Sequence, residues 1–188
     1  LLLIILFQFA ILTADDEDFY CAGDVISSDH QNQSFNVCYP EESSWNLAQY
    51  NGDLNGGDYS IIFLDLSASW CAPCFASIEY LDELEAYWHN IDPNVKFVTA
   101  LADIGYPYSC DQWGNAGIAG SPIIVNDSQQ KLYDWFGDSN QQYPSFVIID
   151  HEMRVRGKPS SFYYNSNTQV CDGGGSNSLD GWTGGCIN

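Results

Sequence analysis

Two thiols lie two residues apart in Trp70-Cys71-Ala72-Pro73-Cys74, and that spacing suits thiol–disulfide exchange. The reaction needs a nucleophilic thiolate and a second thiol close enough to displace whatever becomes bonded to the first. A helix N-terminus offers free amides and the positive end of a dipole, which lower the pKa of a thiol placed there. Two intervening residues then put Cys74 one helical turn on from Cys71. Pro73 falls in the first turn, where its missing N–H costs nothing. Trp70 would cover the pair and present an apolar face to a substrate. Blander uses of such a pair are half of a zinc site and a structural bridge. Zinc calls for two more Cys or His at matching spacing. Cys171 and Cys186 form no second knuckle, and the three His residues are scattered.

The elements around the pair read as a strand before it and a helix after it. Ile61-Ile62-Phe63-Leu64-Asp65-Leu66 is a nearly continuous apolar run, as in a strand buried on both faces. From Ala72 to Asn90, Ile78, Leu81, Leu84 and Trp88 recur at helical spacing, with Glu79, Asp82, Glu83 and Glu85 between them. Val95 to Leu101 reads as a second buried strand. Residues 103 to 121 read as loop, with a short helix near Asp111 to Ala116. Ile123 to Val125 is a short extended piece, and Ser128 to Phe136 a helix capped by Ser128. Phe146 to Asp150 is a third strong strand, turned by His151-Glu152 into Met153 to Lys158. Strands alternating with helices predict an α/β fold whose mixed central sheet has parallel members and an antiparallel edge.

The 188 residues fit one decorated domain, and 45% apolar content is enough for a full core. With 25 acidic and 5 basic side chains the formal net charge is −20, which repels phosphate backbones and excludes nucleic-acid binding. Residues 1–14, LLLIILFQFAILTA, carry no charge and read as a signal-peptide core or a truncated membrane anchor. The membrane enters only through that segment. Seven cysteines behind an export signal fit an oxidising compartment, so the chain is expected to be extracytoplasmic, periplasmic or secreted. Residues 15–57 read as a polar N-terminal extension, 58–158 as the main domain, and 159–188 as a Gly-rich tail. Outside the motif, nearest-neighbour pairing predicts disulfides Cys21–Cys38, closing a hairpin in the extension, and Cys171–Cys186, closing the tail. Cys110 is then left over; a Cys38–Cys110 bond across the domain is the competing arrangement.

Residues 58 to 158 resemble the thioredoxin superfamily, nearest its exported, TlpA-like branch of disulfide reductases. The residues that carry this are the Trp-Cys-Ala-Pro-Cys motif, Asp65 six positions before Cys71, and Tyr143-Pro144-Ser145 leading into Phe146 to Asp150. The resemblance implies a thioredoxin-like fold and a protein-disulfide oxidoreductase needing no cofactor beyond its redox-active disulfide. It implies Cys71 as nucleophile, Cys74 as resolving thiol and Asp65 as proton acceptor for Cys74. Pro144, in a cis bond, would shape a substrate groove opposite Cys71. Partners would be protein thiols or disulfides and an upstream redox protein, with reduction the preferred direction. TlpA-like proteins of cytochrome maturation commonly carry a Glu three residues after the second Cys; Ser77 stands there, which argues against that role. No Thr-x-x-Cys peroxidatic motif is present, which disfavours peroxiredoxin activity. The competing class is a non-catalytic thioredoxin-fold binding or surface module whose Cys71–Cys74 bridge is structural.

Overall fold

The computed structural model describes residues 20–118, 122–137 and 142–158. In chain order these form α1 (Ser28–Gln31), β1 (Phe35–Tyr39), β2 (Ser43–Trp45), a 3-10 turn (Leu47–Tyr50) and α2 (Gly52–Asn55). Then come β3 (Ile61–Ala68), α3 (Ala72–Ile91), β4 (Val95–Ala102), α4 (Cys110–Gly114), β5 (Ile123–Asn126), α5 (Lys131–Phe136), β6 (Ser145–Ile149) and β7 (Val155–Gly157). Residues 1–14 and the tail 159–188, with Cys171 and Cys186, lie outside the described residues.

One seven-stranded sheet runs β2-β1-β5-β4-β3-β6-β7. The three middle strands β5, β4 and β3 are parallel to one another, and β1 and β6 flank them antiparallel. Central β3 alternates its side chains between two cores. Ile62, Leu64 and Leu66 enter the larger core with Val98, Trp135 and Phe136, while Phe63 meets Leu84, Trp88, Phe97 and Phe146 under α3. That two-sided burial is why the run reads as apolar throughout. Each large side chain so buried contributes about 2 kcal/mol.

A hairpin forms, but it is β1–β2 rather than one closed between residues 21 and 38, and it belongs to the main sheet. β1 pairs with β5 through Val37–Val125 and Tyr39–Ile124. Residues 20–57 also supply Ile26, Phe35, Trp45, Leu47 and Tyr50 to the larger core. This arrangement overturns the expected Cys21–Cys38 bridge. Cys38 is bonded to Cys110 at the start of α4, with Cα atoms 6.0 Å apart, and Cys21 is free and exposed. Docking β1 on β5 carries Cys38 to α4 and away from Cys21, so the cross-domain pairing is the one formed. Tyr39 reinforces the contact: its ring lies where a Cβ on Gly114 would fall, and its hydroxyl donates to Asn115 Oδ1.

Two helix starts show different solutions to the free amides. α4 has a capping box, with Ser109 and Gln112 each accepting from the other's backbone N–H. α5 starts three residues later than the sequence suggests and is not capped by Ser128. The carboxylate of buried Asp127 accepts from Leu132 N at 3.0 Å and Tyr133 N at 3.1 Å. Two acceptor oxygens satisfy two orphan donors, which a single hydroxyl cannot do. Ser128 instead donates to Asn126 Oδ1.

Candidate active site

β3 delivers the chain to the site end of the sheet, and α3 carries it away. Between them Cys71 N donates to Ala68 O and Ser69 N to Ala102 O, so the turn is tied to both β3 and β4. Cys71 is the N-cap of the 20-residue α3, and its sulfur accepts from Cys74 N at 3.2 Å. The helix stops at Asp92 because Pro93 disfavours helical backbone in the residue before it. Cys71 and Cys74 form a disulfide of 2.03 Å with Cα atoms 5.2 Å apart. On reduction, the amide that now meets Cys71 Sγ is placed to stabilise a thiolate there.

The pair is enclosed by aromatic rings. Phe75, the residue after Cys74, stacks on Tyr108 at 4.1 Å and meets the Trp113 ring edge-on. Ser69 Oγ donates to Tyr108 O and accepts from Tyr108 N, both at 2.9 Å, holding that ring over the turn. Trp70 is 56% exposed, and its Nε1 donates to Asp103 Oδ2 at 2.7 Å. The Trp70 ring also meets Tyr143 edge-on at 5.7 Å. Tyr143–Pro144 is a cis bond, and Ser145 pairs with Leu66, so buried Pro144 lies beside the site end of β3. The motif, Trp70 and Tyr143-Pro144 thus come together at one end of the sheet. Cys71 is 3% exposed and Cys74 0%, so Cys71 is the less buried of the two thiols, and Trp70 is the exposed member of the motif.

That order carries a prediction. In the reduced chain, iodoacetamide at mildly acidic pH should modify Cys71 before Cys74, read by peptide mass. The less buried thiol is also the one at the helix start. Modification of Cys74 first would reverse the two roles.

Asp65 points from β3 towards α3 on the same face as Phe63. Ser67 Oγ donates to its Oδ1 at 2.8 Å and Thr99 Oγ1 to its Oδ2 at 3.2 Å. Burial pushes the carboxyl up to about 7, against the pull of those two hydroxyls. A group with that value can both take and release a proton near neutral pH.

Four residues of this region are not singled out by sequence spacing. Asp103 orients Trp70 across 33 positions, and no local pattern marks it. Cys110 bears on the site through its bond to Cys38, because its helix α4 carries Trp113 against Phe75. Asp82 and Glu85 look like part of the solvated face of α3 yet are 4% and 8% exposed. Their signal is position: they continue the stripe that runs from Ile78 to His89, whereas Glu79 and Glu83 face solvent.

No family model matches the sequence, and no curated protein matches it. Solved structures do. The chain is similar to a secreted Mycobacterium tuberculosis disulfide oxidoreductase homologous to E. coli DsbE, at 14% identity and TM-score 0.50, over 76% of this chain and 89% of that one. It is similar to the exposed lipoprotein thioredoxin of Streptococcus pneumoniae, at 20% identity and TM-score 0.52, over 69% and 90%. PrxQ of Xylella fastidiosa is matched at 13% identity and TM-score 0.53, over 74% and 84%. At such identities the likeness shows the fold, and that fold is thioredoxin-like.

Proposed function

We propose that this chain is a protein thiol–disulfide oxidoreductase of the TlpA-like kind, acting on exported proteins through Cys71 and Cys74 and preferring reduction. The observation that carries the reading is the position of the dithiol. It closes the turn between a buried strand and a 20-residue helix, with the Cys71 sulfur already accepting the Cys74 amide. The fold alone does not choose the chemistry, since PrxQ shares it. The Cys71–Cys74 pair at the start of α3 is what supports exchange.

In this reading Cys71 attacks one sulfur of a substrate disulfide, forming a mixed disulfide and releasing the other substrate sulfur as thiolate. Cys74 gives its proton to Asp65, and the new thiolate attacks Cys71. The Cys71–Cys74 bond forms, the bond to substrate breaks, and two electrons have passed to the substrate. Trp70 and the Tyr143-Pro144 turn border the place where an extended substrate segment would lie. An upstream dithiol protein then restores the reduced pair. An extracytoplasmic location is supported by the cysteine content, the apolar residues 1–14, and the words secreted and lipoprotein borne by two structural neighbours.

The near-complete burial of Cys71 favours a second reading, a non-catalytic module with a structural bridge. Trapping separates them. Reduced Cys74→Ser chain mixed with a disulfide-bonded protein should accumulate a reductant-cleavable adduct at Cys71, and Cys71→Ser should form none. If Cys74→Ser forms no adduct, the structural reading stands and the exchange reading falls.

A further inference from the structure

A buried acid that takes a proton in each turnover must also lose it. Asp65 is 5% exposed, so its carboxyl meets little solvent directly. It does line a cavity of about 30 Å³ together with Asp82 and Glu85 of α3. That is room enough for water with polar partners. Ile78, one turn on from Cys74, lines the same cavity. At the other side Glu85 reaches towards the surface: its Oε1 lies 3.9 Å from His89 Nε2, and the His89 side chain is 43% exposed.

We propose that Glu85 is a proton-relay residue, which carries the proton that Asp65 takes from Cys74 through the shared cavity to the surface at His89. The inference rests on the reading of Cys71 and Cys74 as an exchange site with Asp65 as acceptor. Each transfer is balanced. Cys74 loses a proton to Asp65, Asp65 returns to carboxylate as Glu85 is protonated by way of cavity water, and Glu85 releases the proton to solvent. No electrons move in these steps.

The proton affinities suit the path. Burial, with a smaller contribution from the Asp82 charge, raises Glu85 to about 7, and burial raises Asp65 to about the same value. Donor and acceptor of matched affinity exchange protons with little driving force lost in either direction. The groups facing Glu85 are Asp82 and His89 on its own helix and Asp65 across the cavity from β3. β4 and α4 contribute Phe97, Val98, Thr99 and Trp113 to the walls, none of them charged. Among the described residues no group of three such side chains is placed to hold a metal ion.

The test times both steps of one turnover, using the reduced full chain and a disulfide-bonded peptide, on both sides of neutral pH. Glu85→Gln should leave formation of the Cys71 mixed disulfide unchanged and slow its resolution about tenfold. The pH profile of resolution should lose one of its two ionisations near neutrality. A merely structural role would disturb both steps and leave two ionisations in place. Resolution as fast as in the unmodified chain, with the same profile, overturns the relay. Carboxyl NMR of the unmodified chain decides the matter if Glu85→Gln does not fold. Glu85 titrating near neutrality in step with Asp65 supports the relay, and titration in the ordinary carboxylate range overturns it. An unmodified chain that forms no mixed disulfide overturns the exchange reading and the relay together. Normal exchange with an unaffected Glu85→Gln overturns the relay alone.

Discussion

Asp65→Asn should slow resolution of the mixed disulfide about a hundredfold while making the folded chain more stable above neutral pH. The kinetic half follows from removing the only acidic group that β3 turns towards α3. An amide accepts a hydrogen bond but does not take the Cys74 proton. Attack by Cys71 should be unchanged, because its thiolate depends on the helix N-terminus instead. The stability half follows from the carboxyl's shift from its usual 3.8 to about 7. Between those values the folded chain holds a proton that the unfolded chain has lost. The group's cost to the fold is therefore absent below about pH 4, grows as pH rises, and is complete above about pH 7. A shift of that size corresponds to at most about 4 kcal/mol. Asn forgoes some of the hydrogen bonding that Ser67 and Thr99 give the carboxylate, so a gain of about 2 kcal/mol is expected at the alkaline end. Urea unfolding on both sides of neutrality measures it. A variant no more stable than the parent at alkaline pH, or one that resolves at the parental rate, would remove Asp65 from the role given to it.

The legible parts of this molecule are those fixed by neighbours in sequence. β3, β4 and β6 are visible as apolar runs because both their faces are covered, and α3 is visible because Ile78, Leu84 and Trp88 repeat at its period. The dithiol is visible because its chemistry depends on two residues of spacing and a helix start. What the sequence hides is set across the fold. Asp82 and Glu85 alternate with apolar residues as solvated charges do, and only the packing of α3 over β3 and β4 shows them turned inward. Asp127 looks like a loop residue until α5 folds back and offers it two amides. β1 does alternate, with Phe35 and Val37 buried and Asn36 exposed, but the Ser, Asn and Gln around it mask the period. Once β1 is taken for an isolated hairpin, Cys38 is assigned to the nearest cysteine and Cys110 is stranded. The error in the disulfide is thus an error about which sheet the hairpin joins.

Replacing Cys38 and Cys110 together by Ala should lower stability by about 4 kcal/mol while leaving disulfide exchange intact wherever the variant is folded. The bond spans 72 positions, and cross-linking a segment that long removes much entropy from the unfolded chain. Against a total stability of about 5–15 kcal/mol for a domain, this is a large share. The loss should also have a local pattern. β1 is held to β5 by a register that shifts between Val37 and Tyr39, and its outer partner β2 has three residues. α4 is five residues long, too short to persist without tertiary contacts. With the bond gone, Tyr39 against Gly114 and Trp113 against Phe75 are left to hold α4 in place. Hydrogen exchange should therefore rise first in residues 35–45 and 108–116, and only later in β3 and β4. Cys21→Ala is the matched control: its thiol is free and exposed, so stability should change by less than about 0.5 kcal/mol. A Cys38→Ala, Cys110→Ala chain as stable as the parent would show that the bond constrains nothing. Loss of exchange in the folded double variant would instead make this second pair part of the redox chemistry, since it shares an apolar cluster with Cys71 and Cys74.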